Sequence, residues 1–171
     1  MQDIRRGVLR IALPALLLAR FCCALPPSTA AEATLTVEGA VEHPLHLTAD
    51  DLAKMPHLSQ KVEQHGQNFE YQGVLLYDIL VQAGVPFGKA MTGKPMASYL
   101  LATATDGYQV VFALPEIDPA FIGNKIIVAD RRDGKPLPAD HLPFQIIAPG
   151  EKMRARSIHS LVKLEVVRLR K

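Results

Sequence analysis

The dipeptide Asp106-Gly107 stands between two apolar runs, residues 99–105 and 109–114. Asp and Gly tolerate the left-handed backbone that tight hairpin turns demand, so the pattern sets the two runs side by side as an antiparallel pair. The other apolar runs are just as short. Residues 35–41 have strand composition, with Gly39 at a candidate bulge. Residues 58–64, 126–129 and 144–148 extend the set, and Asp133-Gly134 with the proline-rich stretch 135–138 punctuates it. In residues 161–169, Leu161, Lys163 and Glu165 alternate against Val162, Leu164 and Val166, the period of a half-buried strand. Helix signals are fewer. Thr48 is placed to cap a short helix, with Asp51 three residues on answering its backbone and Pro56 ending it. Leu76, Ile79, Leu80 and Ala83 share one helical face within residues 74–83, and Gly84 supplies a C-cap. The expected architecture is α+β: mixed or antiparallel β-sheets with a few short helices.

The first thirty residues have another character. Arg5, Arg6 and Arg10 precede the apolar run 11–19, and Pro26-Pro27 and the small Ser28-Thr29-Ala30 follow. That order is the order of a signal peptide, cleaved near Ala30. A nine-residue run broken by Pro14 is too short to span a hydrocarbon layer of roughly 30 Å. Arg5-Arg6-Gly7-Val8-Leu9-Arg10 is similar to the twin-arginine export motif, with an ordinary basic leader as the equal alternative. Arg20 ahead of Cys22 departs from the neutral lipobox of a lipid-modified cysteine, so Cys22 and Cys23 are expected to leave with the leader. The expectation is one periplasmic domain, residues 31–171, with no transmembrane segment and no cysteine. The charge balance also changes. The whole chain carries 19 basic and 17 acidic groups; without the first thirty residues these become 15 and 16. Neither balance, with no basic stripe of interleaved aromatics, makes a nucleic-acid surface.

Three stretches recur in a particular order. The first is Val37-Glu38-Gly39-Ala40-Val41-Glu42-His43-Pro44, continuing through Leu52 to Met55-Pro56. The second is Tyr71-Gln72-Gly73-Val74-Leu75-Leu76-Tyr77-Asp78-Ile79-Leu80, ending in Ala83-Gly84. The third runs from Asp106-Gly107-Tyr108 through Asp133-Gly134-Lys135-Pro136-Leu137 to Arg156-Ser157-Ile158-His159-Ser160-Leu161. Together they resemble the molybdopterin-binding domain of the sulfite oxidase family, in a small stand-alone version without its dimerisation or haem domains. The resemblance covers about residues 35–168. It implies the sulfite-oxidase-type fold, an oxidoreductase-like activity and molybdopterin as cofactor. In the family the closing segment lies against the pterin phosphate, which carries that role to Arg156, Ser157 and His159. Lys152, Arg154, Arg156 and His159 do concentrate cationic donors in one short segment, as an anionic pterin requires.

Two positions depart from the family. Its enzymes hold molybdenum through a cysteine thiolate, a soft and strongly donating ligand, just before the Gly-Val-x-Leu helix. Here that stretch reads Val62-Glu63-Gln64-His65-Gly66-Gln67-Asn68, and the ligand position falls on Gln64 or, with a one-residue slip, on His65. In His141-Leu142-Pro143-Phe144-Gln145, Gln145 replaces the family's arginine. Ordinary cysteine-ligated molybdenum catalysis is therefore not implied, and no catalytic residue is assigned. His43 and His46 flank a turn without a third ligand, so no metal site is expected. Ser157 and His159 share a face but have no acidic orienter, and no nucleophile elbow, phosphate loop or calcium loop occurs. The expected function is an exported molybdopterin-binding, oxidoreductase-like domain holding a pterin or similar anionic ligand at Arg156, Ser157, His159, Gln64 and His65. The alternative is a non-catalytic periplasmic ligand- or partner-binding module on the same fold. In either case the expected partner is a membrane-bound redox or sensor protein.

Overall fold

A computed structural model of the chain describes residues 33–64, 66–151 and 153–169. The expected signal peptide, His65 and Lys152 lie outside the described residues. The chain order is β1 (Thr34–Gly39), β2 (Leu45–Thr48), α1 (Ala49–Lys54), β3 (His57–Gln64), β4 (Gln67–Leu75) and α2 (Leu76–Gln82). Then follow β5 (Ser98–Ala104), β6 (Gln109–Ala113), α3 (Leu114–Ile117), β7 (Ile127–Arg132), β8 (Lys135–Pro136), β9 (Gln145–Ile147) and β10 (Leu161–Arg168). One sheet has the order β2-β1-β10-β5-β6, with β1 and β10 parallel and its other neighbours antiparallel. The second has the order β3-β4-β7-β8, with β9 also paired to β7 and every pairing antiparallel. This is the expected α+β architecture of mixed sheets and few short helices.

Local chemistry explains much of it. Thr48 Oγ1 accepts from Asp51 N at 3.2 Å while Asp51 Oδ2 accepts from Thr48 N at 3.1 Å, so the cap is reciprocal. Asp106 Oδ1 accepts from Tyr108 N at 2.9 Å and shapes the turn between β5 and β6. Asp133 and Gly134 take φ values of 52° and 72°, the pair of left-handed residues that joins β7 to β8 in a two-residue hairpin.

Three features differ from the sequence reading, each because tertiary packing overrides local pattern. Leu45–Thr48 and Gln67–Leu75 are strands that the composition conceals. The helical stretch begins at Leu76, since Val74 and Leu75 complete β4 and pair with Val128 and Ile127 of β7. The alternation of β10 is broken by a register shift between Leu161 and Lys163. The bulge puts Leu161, Leu164 and Val166 all inside, where strict alternation would separate Leu161 from the other two.

The main core lies between the sheets. Leu35, Val37, Leu100, Phe112, Leu164 and Val166 of the first sheet meet Leu76, Ile79 and Leu80 of α2 and Val74, Val128 and Ile146 of the second. Tyr71, Ile127, Ala129, Leu137 and Ile147 form a smaller cluster on the other face of the second sheet. Neighbouring residues Ile127, Val128 and Ala129 thus serve both cores, which explains an unbroken apolar run in β7. Gly73 enables this crowding: a Cβ there would sit 2.1 Å from the Val128 carbonyl oxygen.

Two substitutions test these points. Gly73→Ala should lower the unfolding free energy by about 3 kcal/mol, because the obstructing atoms are backbone and cannot swing aside. Thr48→Ala should cost about 1 kcal/mol through the lost cap. Urea unfolding followed by far-ultraviolet circular dichroism measures both.

Candidate functional site

The segment after β9 has little regular structure but is tightly held. Ile146 N donates to Ile158 O at 2.9 Å, and Leu161 N donates to Phe144 O at 2.8 Å. These bonds carry Ser157, Ile158 and His159 back along β9. Ser160 N then donates to His141 O at 3.1 Å, Ser160 Oγ to Asp140 O at 3.0 Å, and Thr105 N to Ser160 O at 2.9 Å. Three distant parts of the chain therefore converge: the β5–β6 turn, the 3₁₀ turn Ala139–His141, and residues 154–160. Between them lies a cleft of about 550 Å³, within the size range of small-ligand sites. Its walls include Thr105, Asp106, Tyr108, Asp140, Arg154, Ser157 and His159. Tyr108 spans one edge, its hydroxyl donating to Ala155 O at 2.9 Å.

Polar chemistry dominates this wall. Ser157 is buried, and its Oγ accepts from Ala148 N at 3.3 Å, which leaves its own proton to donate. The His159 ring packs on that of His141 with centroids 3.8 Å apart. His141 is buried, its Nδ1 has no hydrogen-bond partner among the described atoms, and its Nε2 is 3.7 Å from Asp140 Oδ2. Desolvation, then the neighbouring His141 and Arg154, hold the His159 imidazole below its ordinary pKa, while Asp140 pulls the other way.

The expected site residues separate. Ser157 and His159 line the cleft. Arg156 does not belong to its wall. Its Nη1 donates to Glu116 Oε1 at 2.9 Å, its Nη2 pairs with Glu151 at 2.5 Å, and its guanidinium lies 4.9 Å from the centre of the Phe112 ring. Glu116 Oε1 also accepts from Ala113 N, so Arg156 fastens the loop of residues 149–156 to the end of β6. Gln64 ends β3 on the second sheet, where its Nε2 donates to Tyr71 Oη at 2.6 Å, outside the cleft wall. Gln145 is fully buried on β9, and neither of its side-chain polar atoms has a partner among the described residues. Among those residues no three His, Cys, Asp or Glu side chains converge as metal ligands. His141 and Tyr108 are absent from the sequence-based site because their roles come from long-range packing, for which no local signal exists.

The arrangement makes a prediction about Arg156. Arg156→Ala should free the loop, giving at least fivefold faster protease cleavage within residues 149–156. The loss of stability should stay near 1 kcal/mol, since the pair is partly solvated. Limited proteolysis with mass spectrometry reads the first effect and urea unfolding the second.

Comparison with known proteins bears on the whole domain. A family model described as "Oxidoreductase molybdopterin binding domain" matches residues 23–171. No curated protein matches the sequence. Among solved structures, the crystal structure of the sulfane dehydrogenase SoxCD from Paracoccus pantotrophus superposes with a TM-score of 0.61 at 22% identity. The match covers 78% of this chain and 37% of that one, so the chain spans little more than a third of that protein's length. At this identity the likeness establishes a shared fold.

Proposed function

Because the chain belongs to the oxidoreductase molybdopterin binding domain family, we propose that it holds a pterin or a similar anionic ligand in the cleft beside His159. The observation that carries this reading is the wall itself. Arg154, Ser157 and His159 all line one ligand-sized space. The anionic end of the ligand would lie against these three, with Arg154 offering bidentate hydrogen bonds and Ser157 a single donor. Tyr108, anchored by its hydroxyl, offers an aromatic edge at the rim.

The donor set fits one end of a molybdopterin and not the other. The phosphate finds cations and donors. The metal finds no thiolate, since residues 24–171 contain no cysteine, and Gln64 is engaged with Tyr71 on the other sheet. When bound, molybdopterin supplies a centre for oxygen-atom or electron transfer. The chain's own residues bind and orient its phosphate, and cysteine-ligated molybdenum catalysis lies outside this reading. The missing thiolate favours a second one: a non-catalytic ligand- or partner-binding module, serving a membrane-bound redox or sensor protein. Both readings include export to the periplasm under the direction of the first thirty residues.

Expressing the precursor in a host that makes molybdopterin tests the proposal. The exported protein should carry near-stoichiometric pterin, measured by fluorescence after oxidation, with molybdenum well below stoichiometry by elemental analysis. Arg154→Ala should lower pterin occupancy at least fivefold. Stoichiometric molybdenum would overturn the denial of metal chemistry, and absence of pterin would leave the partner module.

A further inference from the structure

Two imidazoles pack together at this cleft with their planes tilted by 43°, one on its wall and one buried behind it. His159 is open to solvent on the cleft side, and His141 packs on its ring with centroids 3.8 Å apart. The neighbouring His141 is one of the groups that disfavour a proton on His159. The charged groups around the pair come from three directions. Asp140 flanks His141 on the 3₁₀ turn, with its carboxylate 3.7 Å from Nε2 and largely in water. Arg154 belongs to the loop before the segment. Asp106 lines the cleft from the β5–β6 turn, with Oδ1 already accepting from Tyr108 N. Arg154 is thus the one permanent cation among the described lining residues, and His159 is the one whose charge can change near neutral pH.

We propose that His159, packed on the buried His141, makes the cleft a proton-gated anion site, which holds a tetrahedral dianionic group tightly when His159 carries a proton and loosely when it does not. This rests on the reading of the cleft as an anion site and adds its regulation. In the free protein, proton binding at His159 is opposed by desolvation, His141 and Arg154, with only Asp140 in favour. A dianion between Arg154 and His159 reverses that balance, since it neutralises Arg154 and attracts the imidazolium. Ligand and proton then bind together, and by linkage each strengthens the other. The sign is fixed: affinity rises as pH falls, because the complex holds more protons than the free protein. One proton taken up corresponds to about a tenfold gain per pH unit across the window between the free and bound pKa values. Lysine at this position would have kept its charge throughout.

Inorganic sulfate is the suitable probe, because it stays a dianion from pH 5 to 8 and only the protein titrates. Isothermal titration of the full chain with sulfate, at constant ionic strength, should show at least fivefold tighter binding at pH 5.5 than at pH 7.5. The His159 ring resonances in NMR should titrate at higher pH with sulfate than without it. His159→Lys should bind tightly at both pH values, and His159→Gln weakly at both. Equal wild-type affinity at the two pH values would overturn the gate while leaving the anion cleft intact. No sulfate binding at either pH would overturn the anion cleft itself. A wild-type pH profile in His159→Gln would overturn the assignment to this pair.

Discussion

The backbone bridge between Phe144 and Leu161 ties the two sheets together at the point where the cleft forms. Phe144 leads into β9 of the second sheet, and Leu161 opens β10 of the first. Between them the chain makes its excursion through residues 148–160. With Ile146 bonded to Ile158, the end of that excursion is pulled back against β9. Ser157 and His159 cannot then wander from the β5–β6 turn, because β10 must next pair with β5. Leu161 is fully buried and sits at the start of the β10 bulge, so apolar burial and backbone pairing enforce the same geometry.

Around this stitch the charges divide into two kinds. Arg156 is saturated by Glu116 and Glu151 and braced on Phe112, so its charge serves the loop. Arg154 and His159 line the cleft instead, where the proposed anion would meet them. Two arginines two residues apart therefore have different surroundings, one in the cleft wall and one between Glu116 and Glu151. The uncommitted polar atoms complete the picture. Gln145, His141 and, on β7, Asp130 each bury a polar atom without a described partner, and His141 is the one packed on a cleft residue. Burial of such groups costs roughly 1–3 kcal/mol each, an expense of the kind that functional sites sustain.

Family likeness and chemistry part company at the position of the expected metal ligand. The fold, the matched span and the order of the motifs all agree with a molybdopterin-binding domain. The position expected for the thiolate carries Gln64 or His65, and Gln64 is consumed in a hydrogen bond to Tyr71 at the end of the β3–β4 hairpin. A short hairpin of this kind places its tip by sheet pairing, with Gln64 opposite Gln67. What the chain retains is the cationic and hydroxyl-bearing wall.

What was legible in the sequence is what short-range forces determine. The Asp106-Gly107 and Asp133-Gly134 turns, the reciprocal cap at Thr48 and the face of α2 each depend on residues within a few positions of one another. The absence of cysteine beyond residue 23 needs no structure at all. Less legible were β2 and β4, whose composition is ordinary until neighbouring strands bury them, and the bulge of β10, which breaks a clean alternation to satisfy the core. Hidden altogether were the packing of His159 on His141 and the capture of Arg156 by Glu116. Those partners lie far apart in the chain, and only the packing of two sheets on one core brings them within reach.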